Sequence, residues 1–359
     1  MKALSRILIL PASVLLSVCS AVAQTHTAPV GYLTYSFPAI ASATTSYLSA
    51  PLSTNATFSG SVTAVGSSTL TVDTATWTTN QFAGDSTTTP ASYVCLTSGS
   101  QSGRALRIVS NTQTQLTLDT KDGTSQTTNL NTAGFSVAVG DTLEISTPYT
   151  INSFFGPTGA TAFPGEGQSL AVAGGIGLWN STKAAFDSYY FNSGVNRWVK
   201  STAATFTDMG NTIIPPYATV AISRPAGAAA QSLILSGRAT TIAPLLKEPG
   251  GSTVRYFGTF FPIDITFSQI VLGSGWVKSN SVFTADTLSI PNGTVMVNGV
   301  ATPKWDAYYQ LTNGDWRKSG SVASQSSTVI PAGTAVAFLK RASVSGSASF
   351  FPLTLPYTP

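Results

Sequence analysis

The sequence predicts an all-β protein, made of a small antiparallel barrel or sandwich and two related β-sandwich-like repeat units, with very little helix. Three observations lead to this prediction. Apolar residues alternate with polar ones along many short segments, turn signals separate those segments, and one stretch of sequence recurs further along the chain. A two-residue alternation predicts strands that bury one face and leave the other in water.

The amino terminus has the features of a secretory signal peptide. Two basic residues, Lys2 and Arg6, precede the apolar run 7–18, and the small-residue triplet 21–23 follows it. The run is shorter than the roughly 20 apolar residues that a membrane-spanning helix needs. We therefore expect residues 1–23 to be removed on export. The mature chain should have no transmembrane span and should be extracellular or on the outer cell surface, with the periplasm as the alternative.

The mature chain is nearly neutral and contains few residues suited to catalysis. Without Lys2 and Arg6, 16 basic residues stand against 14 acidic ones, so no nucleic-acid partner is expected, because phosphate binding needs a basic surface. His26 is the only histidine, whereas nucleophilic triads and most zinc sites require this residue. The expectation is a protein that is not an enzyme, with no catalytic residues, no metal and no cofactor.

Residues 54–147 predict the barrel or sandwich. Apolar and hydroxyl residues alternate in 68–73, and the same rhythm recurs at 135–139 and 143–145. Threonine suits the wet positions of a strand because its β-branched side chain stiffens the backbone. Cys95 lies in an apolar strand and cannot form an intrachain disulfide once the signal segment is gone, so we interpret it as a buried structural thiol.

An internal repeat predicts two related β-units, at 148–245 and 246–359. Each has a Tyr-Tyr strand, a tight turn, a Trp strand, a polar loop and a last strand that follows a proline. The matching segments are Phe186–Tyr190 with Trp305–Tyr309, Trp198–Ser201 with Trp316–Ser319, and Ile214–Arg224 with Ile330–Lys340.

A weaker sequence match concerns the N-terminal strand segment, residues 24–53. Tyr32, Phe37 and Pro38 have the same spacing as Tyr256, Phe261 and Pro262. This match predicts that the segment opens the first repeat and that the barrel is inserted into that repeat. Short helices are predicted at Asn152–Phe155 and at Asp264–Leu272, the latter with Asp264 as its N-cap.

At these motifs the chain resembles a family of exported, uncharacterised bacterial β-proteins. The resemblance would cover nearly all of the mature chain, and it implies export and a shared architecture but no activity. Besides the Tyr-Tyr and Trp elements, it rests on Pro29–Tyr32, Ser98–Arg104 followed by Ile108 and Ser110-Asn111, Gly140–Thr142, and Ser153–Gly156.

Aromatic residues are the candidates for ligand binding. Tyr190 and Trp198 in the first repeat, with Tyr309 and Trp316 in the second, are suited to flat platforms on which the apolar face of a sugar ring stacks. The alternative interpretation is that they belong to the cores, where Trp and Tyr are usually largely buried. The partners predicted by the first interpretation are extracellular polysaccharides or other surface proteins.

The sequence leaves three functions open. The first is a non-enzymatic structural or adhesive protein of the cell surface or medium. The second is a carbohydrate-binding protein that uses exposed Trp and Tyr residues. The third is a glycoside hydrolase, which needs two carboxylates but no histidine. Asp187 and Asp306 occupy equivalent positions in the two repeats, which favours a repeated structural task over a shared catalytic one.

Overall fold

The chain folds into sheets with very little helix, as the alternation predicts, and the all-β fold class is confirmed. The strands pair antiparallel except for Glu166–Gly167, which pairs parallel with residues 191–192. The computed structural model describes residues 30–85, 88–121, 124, 127–156, 163–247, 254–259, 261–270, 272, 275–297, 300–341 and 350–352. The predicted signal peptide therefore lies outside the described residues.

The elements are numbered here in chain order. They are β1 (Val30–Phe37), β2 (Thr44–Ser49), β3 (Leu52–Ser53), β4 (Phe58–Ser61), β5 (Ala64–Val65), β6 (Thr69–Thr71), β7 (Tyr93–Leu96), β8 (Ala105–Asn111), β9 (Gln115–Leu118), β10 (Thr142–Ser146), α1 (Ile151–Phe155), β11 (Glu166–Gly167), α2 (Leu170–Ala173), β12 (Gly175–Asn180), β13 (Ala185–Asn192), β14 (Arg197–Lys200), β15 (Thr219–Arg224), β16 (Gln231–Ala239), β17 (Leu245–Lys247), β18 (Val254–Gly258), β19 (Ile265–Thr266), β20 (Thr287–Val297), β21 (Val300–Gln310), β22 (Trp316–Lys318), β23 (Val329–Ile330), β24 (Ala335–Leu339) and β25 (Phe350–Pro352).

Unit 1 comprises β1–β3 and β11–β16, and its two sheets enclose one core. The smaller sheet has the order β1-β16-β3, and the larger has the order β11-β13-β12-β15-β2, with β14 also paired to β13. Leu235 of β16 and Ile222 of β15 meet in the core, and Phe155 of α1 packs there too. The arrangement is a β-sandwich in which α1 covers part of the core.

The barrel, residues 54–147, is a curled sheet with a core of its own. Its strand order is β4-β10-β7-β8-β9-β6-β5, and the outermost strands β4 and β5 are consecutive in the chain. The Val62 N–H donates to the Asp141 carbonyl at 2.8 Å, and the Thr63 N–H donates to the Thr71 carbonyl at 2.8 Å. One bent segment thus contacts both ends of the sheet, which gives the sheet its barrel-like shape.

Unit 2 comprises β17–β25, and its main sheet repeats the plan of the larger sheet of unit 1. The order β22-β21-β20-β24-β18 corresponds strand by strand to β14-β13-β12-β15-β2. The register agrees as well, since Tyr189 lies opposite Lys200 and Tyr308 lies opposite Lys318. The pairs β17-β25 and β19-β23 complete the unit.

The sheet topology corrects the strand correspondence that the weaker sequence match predicted. The spacing aligns Tyr32 of β1 with Tyr256 of β18, but β1 lies in the smaller sheet of unit 1, beside β16. The counterpart of β18 is β2, because Tyr47 lies opposite Ala221 just as Tyr256 lies opposite Ala337. A short spacing match could not distinguish β1 from β2, since both strands precede the barrel.

The two predicted helices have different outcomes. The helix at Asn152–Phe155 is confirmed by α1, which Thr150 caps by accepting the Ser153 N–H at 3.1 Å. The prediction at Asp264–Leu272 is wrong, because the short strand β19 and a 3-10 turn at Phe267–Gln269, with Thr266 as its cap, form there instead. Asp264 instead accepts the Ala332 N–H at 2.8 Å, a partner from a distant loop that local sequence cannot reveal.

The segment 240–247 joins the three parts of the molecule. It leads from unit 1 to unit 2 and also touches the barrel, because the Leu245 N–H donates to the Gly103 carbonyl at 3.1 Å. Lys247 is fully buried and donates to the Lys121 carbonyl at 3.4 Å. The connection between the units therefore runs along the barrel surface.

Candidate functional site

The two tryptophans predicted as ligand platforms lie inside the cores. Trp198 is 0% exposed, and its indole N–H donates to the Gly156 carbonyl at 2.9 Å. Trp316 is 2% exposed and packs against Phe267, with ring centres 4.8 Å apart. Each indole fills the centre of its own unit, so neither offers a face to a ligand in this structure.

The tyrosines of the predicted platform occupy different environments. Tyr190 is buried in a small cluster with Ala173 and Val199, on the face of β13 opposite Trp198. Tyr309 is half-buried on β21. The structure therefore does not bring Tyr190 together with Trp198 on one face. Tyr309 is the most accessible of the four residues. A role in ligand stacking therefore stays a prediction for Tyr309 alone.

Asp187 in unit 1 and Asp306 in unit 2 each form an ion pair with a lysine of the same unit, and the two pairs are equivalent. Each carboxylate accepts hydrogen bonds from a lysine on the neighbouring strand and from an asparagine on the strand on its other side, at the end of β12 in unit 1 and at the bulge of β20 in unit 2. The contacts are Lys200–Asp187 at 3.0 Å with Asn180–Asp187 at 3.0 Å, and Lys318–Asp306 at 2.6 Å with Asn292–Asp306 at 2.6 Å; Lys183 adds a contact to Asp187 at 2.7 Å.

These contacts stabilise the ionised carboxylates. Burial acts to raise the pKa of Asp187, but hydrogen bonds from the lysine and asparagine side chains outweigh it and lower that pKa to about 2. The pKa of Asp306 is lowered in the same way, against the effect of its burial. Two carboxylates held in the charged form suit a structural ion pair, whereas a general acid needs a raised pKa.

A cavity of about 90 Å³ lies where the barrel, unit 1 and the segment 240–247 meet. The barrel contributes residues of β7, β8 and β10, and unit 1 contributes the loop 214–217 and Arg238 of β16. Pro51, Pro148, Pro215 and Pro216 form much of its apolar wall. Its volume is several times the roughly 10–15 Å³ that one water molecule requires.

An ion pair that crosses from the barrel to unit 1 supplies the charges of this cavity. Glu144 of β10 accepts a hydrogen bond from Nη2 of Arg238, a residue 94 positions away. Their side chains are 28% and 19% exposed, so solvent reaches the pair only in part. Neither residue could be paired with the other from the sequence, because they lie 94 positions apart and on different parts of the fold.

Cys95 lies in the wall of the same cavity, half-buried, with its pKa raised to about 12. Burial is the main cause, and the charge of Glu144 adds to it. The thiol is therefore protonated near neutral pH. Because the thiolate is the reactive form of cysteine, this environment matches the structural role predicted for Cys95.

Two polar atoms of the ion pair have no hydrogen-bond partner among the described residues. The Nε–H of Arg238 is buried and has no hydrogen-bond partner there. The second carboxylate oxygen of Glu144 accepts no hydrogen bond from that part of the chain either. This oxygen is thus an acceptor for water or for a hydroxyl group of a small molecule in a largely apolar cavity, whereas the Arg238 Nε–H is buried too deeply to reach one.

Neither a metal centre nor a membrane-spanning helix is found among the described residues. Within them, no group of three or more His, Cys, Asp or Glu side chains is placed to hold a metal ion. Nor does that part of the chain contain a helix long and apolar enough to cross a membrane. Comparisons of the whole chain with known protein families, with characterised proteins and with solved structures find no match.

Proposed function

We propose that the protein is a non-enzymatic structural or adhesive protein that is exported to the medium or the outer cell surface. The observation that carries this proposal is the use of its large aromatic residues. Trp198 and Trp316 fill the cores of the two units, and a further aromatic cluster, which includes Tyr47 and Tyr256, joins those units to one another. Aromatic side chains that pack within and between the units are not exposed as ligand platforms, which supports a structural role.

Export is the part of the proposal that can be tested first. The full chain, expressed with its residues 1–23, should appear in the medium, on the cell surface or in the periplasm as a shortened form that begins at Gln24, as mass spectrometry would show. The control is Leu8→Arg, which interrupts the apolar run and should retain the chain inside the cell. Equal retention of the wild-type chain and the variant in the cytoplasm would contradict export.

The structural or adhesive role predicts retention after export. Purified mature protein added to cells of the producing strain, or to their extracellular matrix, should sediment with them and resist washing. The matched control is a heat-unfolded sample of the same protein. Recovery of all the folded protein in the wash would contradict the structural or adhesive role, even if export were established.

Carbohydrate binding is the second candidate, and the cavity favours it. The opposite charges of Glu144 and Arg238 cancel, so the cavity suits an uncharged ligand, and the second carboxylate oxygen of Glu144 can accept a hydrogen bond from a sugar hydroxyl group. A small cavity with apolar walls and a few polar groups is typical of ligand sites, although about 90 Å³ admits one edge of a sugar ring rather than a whole chain.

Saturation-transfer NMR with simple methyl glycosides tests this second candidate. Wild-type protein should transfer magnetisation to the sugar, and Glu144→Gln should weaken the signal at least several-fold because it removes the charged acceptor. Glu166→Gln is the control, since Glu166 is an exposed residue of β11. Signals of equal size in both variants, or none with the wild type, would count against binding in the cavity.

The third function, a glycoside hydrolase, finds no support in the cavity. Retaining and inverting enzymes need two carboxylates roughly 5–10 Å apart, whereas Glu144 is the one carboxylate among the described residues that line this space. We therefore base no hydrolytic proposal on it.

A further inference from the structure

Unit 1 and unit 2 pack together through a set of contacts that we call the unit interface. Strands β2 and β15 of unit 1 lie against β18 and β24 of unit 2, and β2 also crosses β20 and β21. The larger sheet of unit 1 is therefore covered on one face by its own smaller sheet and in part on the other by unit 2. This explains why residues 219–222 and 335–338 are buried without alternation.

The aromatic contacts across the unit interface occur in matching pairs. Tyr47 stacks on Tyr256 with ring centres 6.4 Å apart and planes inclined by 13°. Tyr47 also lies 5.0 Å from Trp305 and 5.8 Å from Phe186. Tyr256 lies 5.1 Å from Phe186 and 5.8 Å from Trp305. Because Phe186 and Trp305 are counterparts in the repeat, exchanging the two units reproduces this set of distances.

Two backbone hydrogen bonds show the same reciprocity. The Ser49 N–H of unit 1 donates to the Gly333 carbonyl of unit 2 at 2.9 Å, and the Gly258 N–H of unit 2 donates to the Tyr217 carbonyl of unit 1 at 3.0 Å. Ser49 and Gly258 are counterparts, since each lies at the end of the edge strand, opposite the first residue of its neighbour. Tyr217 and Gly333 also correspond, and both have positive φ, at 66° and 73°.

The counterparts Ser49 and Gly258 touch each other. A Cβ atom added to Gly258 would lie 1.7 Å from the Cβ of Ser49, much closer than two carbon atoms can approach. Residues that contact their own counterparts lie on or beside a two-fold axis. The stacked pair Tyr47 and Tyr256 marks a second point on the same axis.

From these pairs we infer that the two units are related by a pseudo-two-fold axis and that the unit interface is the isologous interface of a homodimer, now contained in one chain. The partner that fits each surface is a second copy of the same unit. The barrel is inserted between β3 and α1 of unit 1 and has no counterpart in unit 2, so it breaks the symmetry of the chain but leaves the interface symmetric.

An exchange of the axial residues tests this inference. Gly258→Ser should lower the melting temperature by about 5 °C or more, because its side chain meets Ser49. Adding Ser49→Gly should recover most of that loss, because the exchanged pair recreates the same contact from the other side. The new serine hydroxyl should then reach the Ala50 carbonyl, as that of Ser49 reaches the Thr259 carbonyl at 3.1 Å.

The control pairs Gly258→Ser with Ser53→Gly, a substitution on β3 away from the axis, which should recover nothing. If Gly258→Ser alone does not fold, the yield of folded protein from the exchanged variant becomes the readout. An exchanged variant no more stable than Gly258→Ser, or equal rescue by Ser53→Gly, would overturn the axis.

Hydrogen exchange on the wild-type protein provides a test without substitutions. If the unit interface opens as one symmetric element, the amides of Ser49 and Gly258 should have protection factors within about tenfold of each other. Their dependence on denaturant should also match. Rapid exchange at one of them beside strong protection at the other would overturn the inference, because reciprocal bonds in one interface must break together.

Discussion

Arg224 and Lys340 occupy equivalent positions in the two units, and both are buried. Arg224 donates to two backbone carbonyls, at Pro38 and Ala229. Lys340 pairs with the carboxylate of Asp286, with the two atoms 2.8 Å apart. The planar guanidinium can donate to several neutral acceptors at once, whereas the compact ammonium is paired with a counter-charge. The two units therefore stabilise a buried cation at the same position in different ways.

Asp286→Asn should strongly destabilise unit 2. The Asp286 and Lys340 side chains are 0% and 4% exposed, and removing one partner of a buried pair leaves an uncompensated charge, at a cost of about 3–5 kcal/mol. Urea denaturation would measure the loss. Lys183→Met, which removes an exposed partner of Asp187, should leave the curve almost unchanged. Similar curves for the two variants would show that the Lys340 ammonium reaches solvent or another partner.

The pH dependence of stability should report the Asp187 and Asp306 pairs. Their pKa values are lowered in the folded state, to about 2 for Asp187, whereas the pKa of an unfolded Asp is about 3.9. Their contribution is therefore complete above about pH 4 and is lost as the pH falls toward 2.

Asp187→Asn with Asp306→Asn should flatten the loss of stability between pH 4 and pH 2, measured by urea denaturation at several pH values. Asp73→Asn, at an exposed position of the barrel, is the control. A double variant with the same slope as the wild type would assign the acid sensitivity to other carboxylates.

At the level of elements, glycines decide where loops can approach other parts of the fold. Gly103 has a φ of 87° and lies in the loop between β7 and β8, against the segment 240–247. The turn between β13 and β14 gives a contrasting case. This turn contains Gly194, but Asn196 is the residue that adopts positive φ, at 51°, while the Asn192 side chain accepts the Gly194 N–H at 2.9 Å.

Gly103→Ala and Gly140→Ala form a matched pair of substitutions. Both glycines have positive φ, at 87° and 95°, so each alanine should cost about 1–2 kcal/mol in backbone strain. At Gly103 the new Cβ would also lie 1.9 Å from the Ala243 carbonyl oxygen, whereas nothing lies within 4 Å at Gly140. Thermal denaturation should therefore show a clearly larger loss for Gly103→Ala. Equal losses would mean that the loop can move away from the segment 240–247 at little cost.

At the level of the whole molecule, three cores are joined by interfaces of different kinds. The barrel has its own core, and it meets unit 1 through the cavity and the Glu144–Arg238 pair. Unit 1 and unit 2 share aromatic and backbone contacts across the unit interface. We expect the two units to unfold together because of this apolar interface, and the barrel to behave more independently.

Tyr256→Ala should reveal this coupling. The substitution removes a ring that contacts Tyr47, Trp179, Phe186 and Trp305. Hydrogen exchange should become faster in β2 and β15 of unit 1 as well as in β18 and β24 of unit 2, with little change in β8 and β9. Leu116→Ala, in the barrel core, should produce the opposite distribution. Faster exchange confined to unit 2 would show that the units open separately.

The predictions that succeeded depend on local physics. Strands such as β9, with Leu116 and Leu118 buried between half-buried neighbours, have one buried and one solvent-facing side, so alternation identifies them. The same alternation at 135–139 predicted a strand that does not form, because the chain there follows an irregular path that ends in a turn. The helix α1 has its cap within a few residues of its start. The candidate site could not be predicted in this way, because Glu144 and Arg238 meet only after the barrel has packed on unit 1.

The amino-acid sequence by itself determined that this chain forms sheets, where strands such as β6, β9 and β10 lie, and that two segments share one pattern, because each of these features follows from side-chain alternation and turn chemistry among near neighbours. The tertiary structure alone decided that Trp198 and Trp316 are core residues, that β2 rather than β1 is the counterpart of β18, and that Ser49 meets Gly258. These facts depend on which faces pack together, and that choice is made by contacts between residues far apart in the chain.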